Sequence, residues 1–162
     1  MAEIICNTSP LQYLYQLDLL HLLPSLARSV IVPPAVVDEI AVGRAAGVSL
    51  PDLAKLGWVT VRHPSGELAL PLVTDLGPGE TEVLMLGLEL RESVVVLDDA
   101  LGRRMAESLG LRFTGTLGLL LDAKRAGHIT AIRPFIDQLQ ELRFRLSPQT
   151  RQAILQLAVE PL

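Results

Sequence analysis

Apolar positions along the chain switch between two spacings, and the switch recurs about five times. Unbroken apolar or β-branched runs at Glu3-Ile4-Ile5-Cys6, Ser29-Val30-Ile31-Val32, Trp58-Val59-Thr60-Val61, Val94-Val95-Val96-Leu97 and Leu111-Arg112-Phe113-Thr114 predict strands. Val94 to Leu97 has no polar face, so it reads as a strand covered on both sides and as the centre of the sheet. Between the runs the spacing lengthens to that of a helix. Leu11, Leu14, Tyr15, Leu19, Leu20, Leu22 and Leu23 form a stripe that bends near Leu17-Asp18, predicting two short helices. Val36, Val37, Ile40 and Ala41 mark a third. Val83, Leu84, Leu86, Leu88 and Leu90 make the next one apolar nearly all round, hence buried. Helices are also predicted over Arg103 to Leu109, Leu119 to Arg125, Ile132 to Phe144 and Pro148 to Val159.

Local signals agree with these elements. Asn7-Thr8-Ser9 supplies cap residues, with Pro10 expected at the first helical position; Pro33-Pro34 opens a helix, Ser147-Pro148 is a cap pair and Gly127 a C-cap. From about His63 to Leu76, prolines and scattered Gly and Ser predict a long connection able to line a site. Alternating strands and helices predict a mostly parallel sheet with helices on both faces, a three-layer α/β/α sandwich. No repeat, low-complexity tract or linker divides it, so one domain over residues 1–162 is expected, with two helices at about 131–159 packed on it.

Composition sharpens this reading. Apolar residues are 49% of the chain and charged residues 20%, which excludes a disordered chain and favours elements covered on both sides. A net charge of −4 gives no global basic field, so nucleic acid would need a local basic face or a bridging cation. The single cysteine, Cys6, lies in an apolar strand and cannot form an internal disulfide, pointing to a reducing compartment and inert packing. No run reaches the roughly 18 apolar residues of a membrane span, so no membrane partner and a cytoplasmic location are expected.

The chemistry is acidic and sits at strand-to-helix junctions. Asp98 and Asp99 end the richest strand, where ligands collect at the carboxyl edge of open α/β sheets. Either could instead cap the following helix. Asn7 ends the first strand, Glu39 follows the second, and Glu80 and Glu82 open the buried helix. Acids directed to one sheet edge repel each other unless a divalent cation neutralises them, and hard oxygen donors select Mg²⁺ or Mn²⁺ over zinc. His21, His63 and His128 have no second His or Cys at ligand spacing. There is no phosphate-binding G-x-x-x-x-G-K-[ST], no G-x-G-x-x-G after the first strand and no G-x-S-x-G elbow, so P-loop, dinucleotide and esterase chemistry is absent.

The ordered set Asn7-Thr8-Ser9-Pro10-Leu11, Pro33 to Ile40, Gly79-Glu80-Thr81-Glu82, Leu97-Asp98-Asp99, Gly115 to Gly118 and Ala123-Lys124-Arg125 resembles a PIN domain, from a prokaryotic branch similar to the VapC-like toxins of toxin–antitoxin pairs. The resemblance implies a metal-dependent endoribonuclease. It places Asn7, Glu39, Glu80, Asp98 and Asp99 at the Mg²⁺ or Mn²⁺, with Glu39, Glu80, Asp98 and Asp99 catalytic, and leaves open which aspartate contacts the metal. Thr8, Ser9, Arg103, Thr116 and Lys124 are the implied substrate-binding residues, although Lys124 by its own position reads as solvated. RNA, a second copy of the chain and an antitoxin protein are the implied partners. The long apolar stripes at Leu11 to Leu26 and Ile132 to Val159 exceed what one core needs, which also favours a homodimer. Asn7 departs from the family's usual Asp, bringing an oxygen donor without charge. An alternative reading is therefore a catalytically weakened PIN fold that binds RNA or protein. A phosphatase or receiver-like domain fits the paired aspartates but lacks an acid at position 7.

Overall fold

The computed structural model describes residues 1–66 and 76–162, so most of the predicted His63 to Leu76 connection, residues 67–75, lies outside the described residues. Five strands form one parallel sheet: β1 (Glu3–Cys6), β2 (Ser29–Val32), β3 (Val59–Val61), β4 (Val94–Val96) and β5 (Arg112–Thr114), in the order β3-β2-β1-β4-β5. Among the described residues eight α-helices accompany them: α1 (Thr8–Gln16), α2 (Leu23–Leu26), α3 (Pro34–Ala45), α4 (Pro78–Glu89), α5 (Ala100–Ser108), α6 (Thr116–Arg125), α7 (Arg133–Glu141) and α8 (Pro148–Leu157). The predicted α/β sandwich is the observed one.

Three expectations are corrected. The middle strand is β1, not β4; an unbroken apolar run measures cover on both faces, and Ile4, Ile5 and Cys6 are buried too. Pro10 is the third helical residue rather than the first, because Asn7 occupies the N-cap of α1. Helix α6 begins at Thr116, ahead of the predicted Leu119, with Gly118 inside it. A Cβ at Gly118 would collide with Thr114 Oγ1, so the glycine permits close packing of helix on strand instead of breaking the helix.

Most of the apolar stripes belong to the core. Leu11, Leu14, Leu17, Leu19, Leu20, Leu22 and Leu23 are all buried in the core, and so are Ile132, Ile136, Leu139, Ile154 and Leu155. Two sheet faces, one of them covered by α4 on β1 and β4, take up these side chains, while Tyr15, Leu142, Leu157 and Val159 of the same stripes stay exposed.

The carboxyl-terminal helices are fastened by a polar clasp. Glu160 accepts from the backbone N–H groups of Ile132 (2.8 Å) and Arg133 (3.1 Å) and from Lys124 Nζ (2.9 Å). Lys124 Nζ also donates to the Ala158 carbonyl at 2.6 Å. Burial alone raises a carboxyl pKa, but the N–H donors and the ammonium outweigh it and hold Glu160 below its ordinary range. Among the described residues no helix is long and apolar enough to cross a membrane.

Candidate metal centre

Strand β1 has β2 on one side and β4 on the other, so the chain leaving β1 and the chain leaving β4 turn in opposite directions. A crevice opens at such a switch point, beyond the carboxyl ends of the two strands. Asn7 and Asp98 stand there. The Asn7 N–H donates to the Val96 carbonyl (2.9 Å), and the Leu97 N–H to the Thr114 carbonyl (3.0 Å), which extends the ladder to the edge of the site.

Asn7 occupies the N-cap of α1 yet makes no side-chain capping bond. Its amide is turned inward: Nδ2 donates to Glu80 Oε1 at 3.3 Å, and Oδ1 is buried with no hydrogen-bond partner. An orphaned buried acceptor is rare and costly, so this oxygen marks a place built for a donor or a cation. Glu80 is the third residue of α4, where the positive end of the helix favours its charge. Glu39, on α3, accepts from Thr8 Oγ1 (2.5 Å) and from the Gly79 N–H (3.2 Å). A Cβ on Gly79 would lie 2.8 and 2.9 Å from the two Glu39 oxygens and 3.1 Å from Asn7 Oδ1. Those three oxygens surround a cradle that only glycine leaves open.

The two aspartates divide the roles that the sequence left open. Asp99 caps α5, its Oδ2 accepting from the Gly102 N–H at 2.7 Å. Asp98 caps nothing on α5; its oxygens accept from the Thr116 N–H (2.8 Å) and Thr116 Oγ1 (2.7 Å). Burial raises its pKa, while the two Thr116 bonds and the Arg103 charge only partly oppose the rise. The Asp98 charge in turn adds to burial in lifting the Cys6 thiol to about 12, which keeps that cysteine inert, and it contributes to a raised Tyr13 hydroxyl.

Asn7, Ser9, Glu80, Asp98 and Asp99 line one cleft of about 580 Å³. Glu39 is off that wall and meets Asn7 over Gly79. Thr8 and Thr116 are engaged with the acids, holding Glu39 and Asp98 in place. Arg103 lies on an adjoining groove with Asp98, its guanidinium 5.1 Å from the Phe113 ring centre and Nη1 donating to the Leu97 carbonyl. Lys124 is elsewhere, partly buried in the Glu160 clasp, so its reading as a solvated side chain is corrected. Glu82 turns away to accept from the Ala35 N–H at the start of α3. The cleft also contains Tyr13, Arg143, Phe144 and Arg145, none of which the periodicity singled out. The one sequence signal was the Arg-Phe-Arg alternation at the end of a predicted amphipathic helix.

A PIN-domain family model, DUF3368, matches residues 3–160 of the 162. The chain belongs to the PIN-domain family. In fold, this PIN domain is similar to a PilT N-terminus domain protein from the hyperthermophilic archaeon Sulfolobus solfataricus P2. The two share 19% identity, with a TM-score of 0.53 over 72% of this chain and 89% of that one. No curated protein matches. PIN domains are generally divalent-metal-dependent nucleases.

Whether these residues suit a cation is decided by the donors. Among the described residues no three His, Cys, Asp or Glu side chains are grouped to hold a metal ion. An amide occupies one corner of the site, and Thr8, Gly79 and Thr116 occupy oxygens of the acids. A carboxylate offers about four lone-pair positions, however, and none of these bonds exhausts them. With the unpartnered Asn7 Oδ1 beside the Glu39 oxygens, the set is all hard oxygen and fits Mg²⁺ or Mn²⁺.

Proposed function

We propose that this PIN domain is a Mg²⁺- or Mn²⁺-dependent endoribonuclease, the toxin of a toxin–antitoxin pair, with its cation affinity held down by Asn7. The observation that carries the reading is the buried, unpartnered Asn7 Oδ1, which faces the Glu39 oxygens over Gly79 while the Nδ2 of the same amide is bonded to Glu80. Asn7, Glu39, Glu80 and Asp98 would hold the cation. When bound, it supplies Lewis-acid stabilisation to a phosphodiester and a lowered water pKa. The chain's own residues prepare the site. Thr116 and Thr8 fix Asp98 and Glu39, so the acids need little reorganisation. Tyr13 and Phe144, edge to face at 5.0 Å, wall the cleft on its apolar side. The acids themselves repel a phosphate, so a cation is needed to seat the scissile phosphate among them.

The test is cleavage of total RNA with Mn²⁺ and with chelator, for the wild type and Asp98→Asn. We expect cleavage only with Mn²⁺, a loss of about 100-fold or more in the variant, and a melting temperature raised by Mn²⁺ in the wild type alone. Binding of RNA without cleavage would favour the weakened module, which the amide at position 7 supports. The toxin role predicts growth arrest on induction, abolished by Asp98→Asn and by a co-expressed antitoxin. Pairing into a homodimer is the family's habit and is checked by light scattering.

A further inference from the structure

The cleft that gathers the acids has a second wall of opposite sign. Arg143 and Arg145 line it on either side of Phe144, in the turn between α7 and α8. Both arginines are exposed, and among the described residues neither has an ion pair or a side-chain hydrogen bond. They are close enough to share a cleft with Glu80, Asp98 and Asp99, yet they do not neutralise them.

The backbone makes Arg143 more unusual. Helices α3, α5 and α6 end in one way: a glycine in the left-handed region (Gly47 at φ +88°, Gly110 at +71°, Gly127 at +81°) follows the C-cap, and two backbone bonds close the turn. Helix α7 ends identically, with the Arg143 N–H donating to the Gln140 carbonyl (3.1 Å) and the Phe144 N–H to the Leu139 carbonyl (2.9 Å). Here the left-handed residue is arginine, at φ +68°. Helices α1 and α8 also end on non-glycine residues, Asp18 and Val159, but neither lines the cleft. A glycine would fit the turn without strain, and the arginine side chain finds no partner within the protein to offset it.

We propose that Arg143 and Arg145 grip the backbone phosphates of a single-stranded RNA on either side of the phosphodiester presented to Asp98. The identity of the substrate rests on the nuclease reading above. Its physical basis is division of labour: the acidic wall takes charge through a cation, and the arginine wall takes phosphate oxygens directly. Asp98, Phe144 and Arg145 also border the adjoining groove, whose other walls include Phe113 and Leu117. A strand leaving the acids past Arg145 therefore enters an apolar channel suited to a base. A flexible polyanion carrying planar apolar groups meets all three surfaces.

The test is fluorescence anisotropy of the intact chain with a labelled single-stranded RNA of about 12 nucleotides in chelator across a salt series. Arg143→Gln/Arg145→Gln should weaken binding about tenfold or more and reduce the salt slope by about 1.4, two single-strand phosphate contacts at roughly 0.7 each. Arg143→Gly should move two readouts in opposite directions: a higher melting temperature from the relieved turn, and RNA binding weakened about threefold or more. Wild-type affinity and slope in both variants would overturn the proposal, as would a wild type that binds no RNA. A labelled glutamate dodecapeptide is the second ligand. If the wild type binds it as tightly as RNA, and the same substitutions release it, the arginine wall is a protein-docking surface and the RNA assignment is wrong. Glu80→Gln in Mn²⁺ reports on the nuclease reading separately. Loss of cleavage there stands whatever the arginines do, whereas RNA held by the arginines and never cleaved by the wild type upholds the arginine wall and removes the nuclease.

Discussion

Asp98 and Glu160 are both largely enclosed carboxylates that accept from backbone N–H groups, yet their pKa values move in opposite directions. Glu160 has the Lys124 ammonium at 2.9 Å, and its ionised form is favoured despite burial. The charge nearest in kind to Asp98 is Arg103, whose guanidinium is committed to the Leu97 carbonyl and the Phe113 ring. Burial therefore prevails at Asp98. The difference separates a carboxylate that has its cation from one that lacks it. The first holds the fold together; the second is the one proposed above to meet an ion from solution.

Removing each acid should expose the contrast. Glu160→Ala removes the counter-charge of Lys124, which keeps only the Ala158 carbonyl, and leaves two part-buried N–H groups without an acceptor, a loss of about 2–4 kcal/mol. In a chain of this length that lowers the melting temperature by about 5–15 °C, readable by circular dichroism. Equal melting of variant and wild type would show that the clasp is ornamental. Charge added beside the cleft should have a smaller effect. Asn7→Asp places a carboxylate next to Glu39 and Glu80, so Mg²⁺ should bind about tenfold tighter by calorimetry while the chelated protein melts lower. Identical Mg²⁺ binding in the two proteins would remove position 7 from the site.

The smallest effect is the pH dependence, and its two parts differ in sign. Glu160, with its folded pKa below the unfolded value, contributes stability above about pH 4.3, and that contribution is lost as the pH falls through the folded value. Asp98 is the reverse. With its folded pKa above the unfolded value of about 3.9, protonation favours the fold, and this contribution is lost as the pH rises through the folded value. Asp122, also raised by burial, acts in the same direction as Asp98. In chelator, the wild type should thus gain stability relative to Asp98→Asn as the pH falls from 7 towards 4, and both should lose stability below it. Parallel melting curves for the two proteins across that range would contradict the raised Asp98 pKa.

Much of the fold was legible because the three inner strands, covered on both faces, read as apolar runs, and the exposed edge strands β3 and β5 still carry β-branched or aromatic residues between turn signals. Their rank in the sheet was not, since an edge or middle position depends on which neighbours pair, and residues as distant as Ile5 and Val95 form one ladder. Asn7 and Asp98 could be named because each stands between a strand and the helix that follows, and Glu80 because it opens a buried helix; Glu39 lies in the second turn of α3 and was named as the acid following β2. Asp98 and Asp99 could not be told apart. Adjacent residues at a helix start point in different directions, and only the folded turn shows that Asp99 meets the Gly102 N–H and Asp98 meets Thr116. Arg143 and Arg145 were invisible for another reason: on an amphipathic pattern, charge at a helix end is the ordinary solvated case. Lys124 misled in the opposite sense, because its partner Glu160 lies 36 residues further along.

The placing of β1 at the middle of the sheet has a consequence for synthesis. A ribosome releases the chain from its amino end at about 5–20 residues per second, and β1 can pair with β2 early. Its other edge waits for Val94–Val96, Asp98 arrives with that strand, and the Arg143–Arg145 turn comes later still. No nascent fragment short of β4 has a cleft, and none short of α7 has both walls. If the cleft cuts RNA, the translating ribosome carries an incapable chain until most of it has emerged, and loop closure over some 90 residues makes assembly of the site a late and slow event.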